Sequence, residues 1–100
     1  MEKLYYKNYM WKVYPGDDYY RFQTEDPKVA ENIRRVKGKD KSMPKLVSNA
    51  LNAYHKVYEI RINSPKRALN TFKRVSSRKM EKTGERGLYC SKTPYILHTK

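Results

Sequence analysis

The sequence YMWKVYPGDDYYRFQT, residues 9–24, decides how the first part of this chain folds. Residues 9–14 are rich in aromatic and β-forming side chains, and residues 19–24 resume a strand pattern. Between the two runs, Pro15 and Gly16 are followed by two aspartates, a combination typical of turns. Two strand patterns on either side of a short Pro-Gly turn predict a β-hairpin.

The alternation within the hairpin assigns its side chains to two faces. Tyr20, Phe22 and Thr24 share one side of the second strand, which we expect to be covered. In the first strand Trp11 and Val13 share a side, and we expect the same face for them. The uncovered face is expected to show Lys12, Tyr14, Tyr19, Arg21, Gln23 and, from a later strand, Arg61.

A helix with marked ends is predicted directly after the hairpin. Asp26 can cap the first free N–H groups, and Pro27 suits the first helical position. Gly38 can end the helix. An apolar stripe recurs on Val29, Ile33 and Val36. Basic residues crowd the last turn, where they also complement the helix dipole: Arg34, Arg35 and Lys37.

A later strand and helix repeat this arrangement. Residues 56–62 alternate clearly, which predicts a strand with Tyr58, Ile60 and Ile62 turned inward. Ser64 and Pro65 then supply a second cap and a second helix-starting proline. The predicted helix runs to about residue 76 on the apolar residues Ala68, Leu69, Phe72 and Val75.

The two strand-to-helix units resemble each other in sequence. At an offset of 38 residues, Tyr20 matches Tyr58 and Pro27 matches Pro65. A duplicated ββα unit explains these matches and makes residues 46–54 part of a second hairpin. Residues 46–54 also fit a helical stripe, and the two apolar helix stripes align better at an offset of 39. The sequence therefore leaves the duplication and the structure of residues 46–54 open.

These elements predict a small α+β domain in which two helices pack on one face of an antiparallel sheet. One hundred residues is the size of one such domain, and we assign it to residues 1–76. Residues 77–100 are expected to form a charged C-terminal tail, because residues 77–87 lack apolar periodicity. The apolar residues 88–90 and 95–97 leave open a short edge strand within this tail.

Cysteine usage and hydropathy favour a soluble cytoplasmic protein. Cys90 is the one cysteine of the chain, so no intrachain disulfide can form and a reducing compartment is expected. Glu2, Lys3 and Lys7 interrupt the N-terminal apolar residues, which therefore do not resemble a signal peptide. No segment approaches the roughly 18 consecutive apolar residues that a membrane-spanning helix needs.

Signatures of catalysis, cofactors and metals are weak in this sequence. Cys90 and the two histidines, His55 and His98, lack the spacing of metal ligands, and the four glycines form no phosphate-binding loop. We therefore expect a non-catalytic protein that needs no cofactor or metal. A metal-independent ribonuclease is a weaker alternative, with His55, Tyr54 and Lys56 as its candidate residues.

Positive charge is the strongest functional signal, and it is unevenly distributed. The formal net charge is +13. Residues 1–33 hold five Lys/Arg and six Asp/Glu, whereas residues 34–100 hold eighteen and four. Repulsion on this scale opposes compaction unless a polyanion relieves it. The charge therefore favours nucleic acid, DNA or RNA, as partner, although a basic surface that merely aids solubility is an alternative.

Two surfaces are candidates for the nucleic-acid contacts. Basic residues on and after the helices suit phosphates: Arg34, Arg35, Lys37, Lys66, Arg67, Lys73, Arg74, Arg78 and Lys79. On the uncovered face of the sheet, aromatic and basic residues can stack bases and hold the backbone: Tyr14, Tyr19, Arg21 and Arg61. A plain cross-strand pair of Tyr14 and Tyr19 is the alternative for the aromatic residues.

A second class of function is a small accessory protein that binds a larger protein or nucleoprotein machine and modulates it. Small basic proteins of phages or mobile elements often act in this way. The size of the chain and its lack of enzymatic signatures suit such a role.

Overall fold

The computed structural model describes residues 5–14, 16, 18–49, 56–76, 80–82 and 88–94. Within these residues the chain forms six strands and two α-helices: β1 Tyr5–Lys12, β2 Tyr19–Thr24, α1 Pro27–Arg34, β3 Lys45–Asn49, β4 Lys56–Arg61, α2 Pro65–Val75, β5 Met80–Lys82 and β6 Tyr89–Pro94. The strands form one sheet in the order β3-β4-β2-β1-β6-β5, and every neighbouring pair is antiparallel.

Both helices pack on the same face of this sheet. At the centre of the core, the rings of Phe22 in β2 and Phe72 in α2 meet edge to face, with centroids 5.9 Å apart. The strands bury Met10, Tyr20, Tyr58 and Ile60, and the helices bury Val29, Ala30, Ile33, Ala68 and Val75. The predicted α+β architecture is confirmed. Of the helices described, none is both long and apolar enough to cross a membrane.

The helix starts follow the capping residues, whereas the end of α1 does not follow Gly38. The Asp26 carboxylate accepts a hydrogen bond from the Lys28 N–H at 2.9 Å, and Pro27 is the first residue of α1. In α2 the Ser64 hydroxyl accepts from the Arg67 N–H at 3.1 Å. α1 ends at Arg34, well before Gly38, so the predicted role of this glycine as the helix terminator is wrong.

The chain order ββα occurs twice, and the two copies meet where their second strands pair. β2 lies beside β4, with Arg21 opposite Glu59 at the midpoint of their pairing. β3 occupies Lys45–Asn49, so the first part of the ambiguous segment 46–54 is a strand, and the remainder lies outside the described residues. The repeated order agrees with the sequence match at an offset of 38, since the matched residues Tyr20 and Tyr58 are both buried in the core under the helices.

The pairing of β1 with β2 reverses the faces expected for β1. Trp11 lies opposite Arg21 and Lys12 opposite Tyr20. Trp11 is therefore on the face away from the helices, and the Lys12 Nζ lies 5.8 Å from the centroid of the Tyr20 ring on the helix-bearing face. Tyr14 lies beyond the end of β1 and is 67% exposed. Backbone pairing sets the register of a whole strand, so the apolar character of Trp11 alone does not decide its face.

The C-terminal segment contributes two strands to the sheet. β6 pairs with β1 from Tyr5 opposite Pro94 to Met10 opposite Tyr89. β5 pairs with the other side of β6, so β6 is an internal strand and the short β5 forms the edge. The segment predicted as a charged tail with one edge strand is thus largely a sheet element in its described part. Residues 95–97 lie outside the described residues.

A buried polar network attaches β6 to the rest of the domain. The Asn8 side-chain amide donates to the hydroxyls of Ser91 and Thr93, both at 3.3 Å, and its carbonyl oxygen accepts from Thr24. The Thr93 hydroxyl donates to the Asp26 carboxylate at 2.7 Å. Asn8 is completely buried. The network links β1, β2 and β6 to the start of α1, and buried polar groups of this kind must all be paired to be tolerated.

Candidate nucleic-acid interface

The loop that follows α1 is held against the end of β4. The Gly38 N–H donates to the Ser42 carbonyl at 2.8 Å, and the Lys41 N–H donates to the Gly38 carbonyl at 3.1 Å. Asp40 and Lys41 have φ values of 56° and 62°, which closes a tight turn. This short loop places Lys37 and Lys39 beside the outer surface of α2.

A cationic groove of about 620 Å³ lies between this loop and α2. Asn63 and Asn70 add amide groups to its wall. Among the described residues that line it, Asp40 is the one carboxylate. Its basic lining residues are Arg35, Lys37, Lys39, Arg67 and Arg74.

The helical periodicity of α2 explains how its basic side chains reach the groove. Ala68, Phe72 and Val75 form the buried stripe at i, i+4 and i+7. Arg67 and Arg74 are seven residues apart, so they lie one above the other on a second stripe that faces the groove. Packing of the apolar stripe on the sheet therefore orients the cationic stripe.

The basic residues of the groove differ in how far they are neutralised. Arg35 forms an exposed i, i+4 ion pair with Glu31, with Nη2 and Oε1 2.7 Å apart. Lys39 Nζ lies 2.7 Å from Asp18 Oδ2. Within the described ranges, no acidic side chain pairs with Lys37, Arg67 or Arg74. These three cations are available to an anionic ligand.

The structure divides the predicted helix-side residues into different regions. Arg35, Lys37, Arg67 and Arg74 meet at the groove, whereas Lys66 and Lys73 are not among its lining residues. The Arg34 guanidinium donates to the Tyr58 hydroxyl at 3.1 Å and lies away from the groove. Arg78 and Lys79 lie outside the described residues.

The groove residues that were missed as site residues include Lys39, Asn63 and Asn70. The acid-poor run in which Lys39 lies is the signal that could have identified it. The position of Asn63 just before the α2 cap carries no such signal, since its place in the groove depends on how α2 packs.

The second predicted surface is the face of the sheet opposite the helices. Strand pairing places Trp11 next to Arg21, and Arg21 next to Glu59. Arg21 Nε lies 3.2 Å from Glu59 Oε1. We call this the open face; its described side chains also include Tyr5, Lys7, Tyr9, Tyr19, Gln23, Val57, Arg61 and Lys92.

The open face carries more aromatic side chains than the sequence indicated. Tyr19 and Arg61 lie there as expected, with the guanidinium carbon of Arg61 5.5 Å from the centroid of the Tyr19 ring. Tyr5 and Tyr9 lie on the same face as Trp11, because they alternate with buried residues along β1. Period-two counting alone could not have identified them, because it assigns them to the face of Trp11, which the sequence predicted to be covered.

Asp18 connects the groove to the open face. Its carboxylate lies 2.7 Å from Lys39 Nζ and 3.9 Å from Arg61 Nη2. Its backbone carbonyl accepts from the Ile62 N–H at 2.8 Å. The hydrogen bond from Lys39 lowers the pKa of the Asp18 carboxyl below its ordinary value, against the partial desolvation that raises it. Asp18 therefore stays ionised and keeps both cations in place.

The described residues offer no second type of site with comparable organisation. No group of three or more potential metal ligands occurs among them. Of the candidate ribonuclease residues, Lys56 is the half-buried first residue of β4, and Tyr54 and His55 lie outside the described residues.

Comparisons were made with protein-family models, with curated proteins and with solved structures. None of the three gave a match to this chain.

Proposed function

We propose that this protein binds nucleic acid, chiefly through contacts of the cationic groove with the phosphate backbone. The observation that carries the proposal is the convergence of five basic side chains on one concave surface: Arg35, Lys37, Lys39, Arg67 and Arg74. They come from two elements that are distant in sequence, the loop after α1 and the outer stripe of α2.

The chemistry of the groove suits phosphate better than an apolar small molecule. Ligand pockets for apolar compounds are lined mainly by hydrophobic and aromatic side chains. Here Ile62 is the one aliphatic residue among the described lining residues. Arginines can contact phosphate through two parallel N–H donors, and Asn63 and Asn70 add neutral donors beside them.

The net charge of +13 supports the same partner. The cations that line the groove repel one another, and salt at physiological ionic strength screens this repulsion only beyond a length of about 8 Å. A polyanion that occupies the groove removes this repulsion and releases its own condensed counterions. Both effects favour binding and make it depend on salt.

The proposal is tested by measuring the binding of fluorescent oligonucleotides over a series of salt concentrations. The double variant Arg67→Gln/Arg74→Gln should weaken binding and reduce the log–log salt slope by about 2, one for each lost phosphate contact. The matched control is Lys28→Gln/Lys66→Gln, which removes the same charge from two exposed helix positions outside both the groove and the open face. Equal losses in both variants, or no binding by the unaltered protein, would overturn the proposal.

A further inference from the structure

We propose that the open face binds the unpaired bases of a single-stranded nucleic acid, with Trp11 and Tyr9 as the stacking residues. This inference rests on the proposed function and specifies its ligand. The groove holds phosphates of the strand, and the open face receives its bases.

The first argument is the spacing of the aromatic side chains. Tyr9 and Trp11 are two residues apart on β1, so their side chains stand on one face at a separation of roughly 6.8 Å. This is twice the rise of about 3.4 Å between bases stacked in a duplex strand. Two neighbouring bases that stack on these two side chains must therefore unstack from each other. An unpaired nucleic-acid strand can do this.

The second argument is a pair of like charges. Lys7 of β1 lies directly opposite Lys92 of β6, and both side chains are exposed on the open face. Like charges at directly opposed positions of a sheet destabilise it. In the described part of the chain neither lysine has an acidic partner. A phosphate between them relieves the repulsion, beside the ring of Tyr9.

The third argument is the continuity of the two surfaces. Lys39 lines the groove, and Asp18 links it to Arg61 on the open face. Arg61 in turn lies over Tyr19. A nucleic-acid strand that leaves the groove at Lys39 therefore meets the Arg61 guanidinium and then the Tyr19 ring as it passes around the end of β4.

The composition of the open face favours a nucleic acid over a protein partner. Tyrosine, tryptophan and arginine also form the centres of protein interfaces. Such centres are depleted in lysine, yet two exposed lysines lie directly opposite each other on this face. The opposed lysines Lys7 and Lys92 fit a polyanion.

The test uses the intrinsic fluorescence of the whole protein, since Trp11 is its one tryptophan. The probe is an oligothymidylate of about 12 nucleotides, compared with a duplex of the same length. Stacking of a base on Trp11 should quench its emission with the single strand, whereas the duplex should bind without quenching. This measurement needs no variant and so does not depend on whether a substitution is tolerated.

Variants at the open face give an independent readout. Trp11→Leu and Tyr9→Ala should each weaken binding of the oligothymidylate by between about 5-fold and about 100-fold and leave duplex binding unchanged. Trp11→Phe keeps an aromatic ring and should retain most of the affinity.

The two proposals fail in distinguishable ways. If the single strand binds with unchanged Trp11 emission and with the same affinity in Trp11→Leu, the role of the open face is overturned while the groove proposal stands. If neither the single strand nor the duplex binds, both proposals are overturned, and a protein partner becomes the hypothesis to test for the open face.

Discussion

The α-carbon of Gly38 packs against the backbone carbonyl of Arg61, so closely that a β-carbon on Gly38 would overlap that oxygen. It would also lie 2.8 Å from Ser42 Oγ and 2.9 Å from Ile60 Cγ1. The contact holds the loop after α1 on the end of β4, and that loop carries two lysines of the groove.

Gly38→Ala should therefore destabilise the fold and impair the groove together. The added methyl group must displace the backbone of β4 or lift the loop, at a cost of about 1–3 kcal/mol. Urea unfolding measures the first effect and oligonucleotide binding the second. Gly16→Ala is the control: Gly16 has a φ of 90° and no neighbour within 4 Å of a β-carbon, so stability should fall without a change in affinity. Normal binding by folded Gly38→Ala would contradict the predicted role of the contact.

Thr93→Val should destabilise the protein by about 1–3 kcal/mol, because it leaves the buried side chains of Asp26 and Asn8 each short of a partner. The shape of the side chain is preserved, so the loss reports the hydrogen bonds. Thr71→Val is the comparison, since its hydroxyl donates to a carbonyl of its own helix at 2.7 Å. Similar unfolding midpoints for the two variants would show that the network does not anchor β6.

The Asp18–Lys39 ion pair should give a pH dependence of known sign. The pKa of Asp18 is lowered from its ordinary value of 3.8, so the native state favours the ionised carboxylate. The contribution of the pair is complete above that ordinary value and is lost as the pH falls through the lowered one. The stability difference between the unaltered protein and Asp18→Asn should be constant near neutral pH and vanish in acid.

Asp18→Asn/Lys39→Gln is the control for this pair. Once Asp18 has been replaced, the second substitution should have little further effect on stability near neutral pH, because the ion pair is already absent. A stability difference that persists in acid would assign the effect of Asp18→Asn to something other than its charge.

Lys92→Glu should change stability and binding in opposite directions. Replacing the like charge opposite Lys7 with an unlike one should stabilise the free protein by roughly 0.2–1 kcal/mol. The same change removes a phosphate contact and should weaken single-strand binding. Lys92→Gln should fall between the two proteins in both measurements. A loss of stability in Lys92→Glu would show that the opposed lysines do not repel in the folded state.

Local signals in the sequence predicted the parts of the fold that depend on neighbouring residues. Asp26 and Ser64 cap their helices because each side chain reaches an N–H two or three residues further on. The alternation in β2 and β4 assigned Phe22 and Ile60 to the core. This signal is also local, since successive side chains of a strand point to opposite faces.

The candidate site was predicted residue by residue but not as an assembly. Arg35, Lys37, Arg67 and Arg74 were recognised by their charge, and helical spacing relates the last two. Their meeting with Lys39 and Asn63 in one groove depends on the docking of Gly38 against Arg61. No local pattern encodes this contact, because it joins residues 23 positions apart through backbone proximity.

The sequence by itself determined the α+β composition, the helix starts and the strongly basic character of the chain after residue 33. Capping and periodicity depend on residues a few positions apart, and charge depends on residue type alone, so all three can be recognised in the sequence. The tertiary structure decided the face of Trp11, the place of β6 between β1 and β5, and the convergence of the groove cations. Each of these depends on strand register or on packing between distant segments, where many alternatives satisfy the same local preferences.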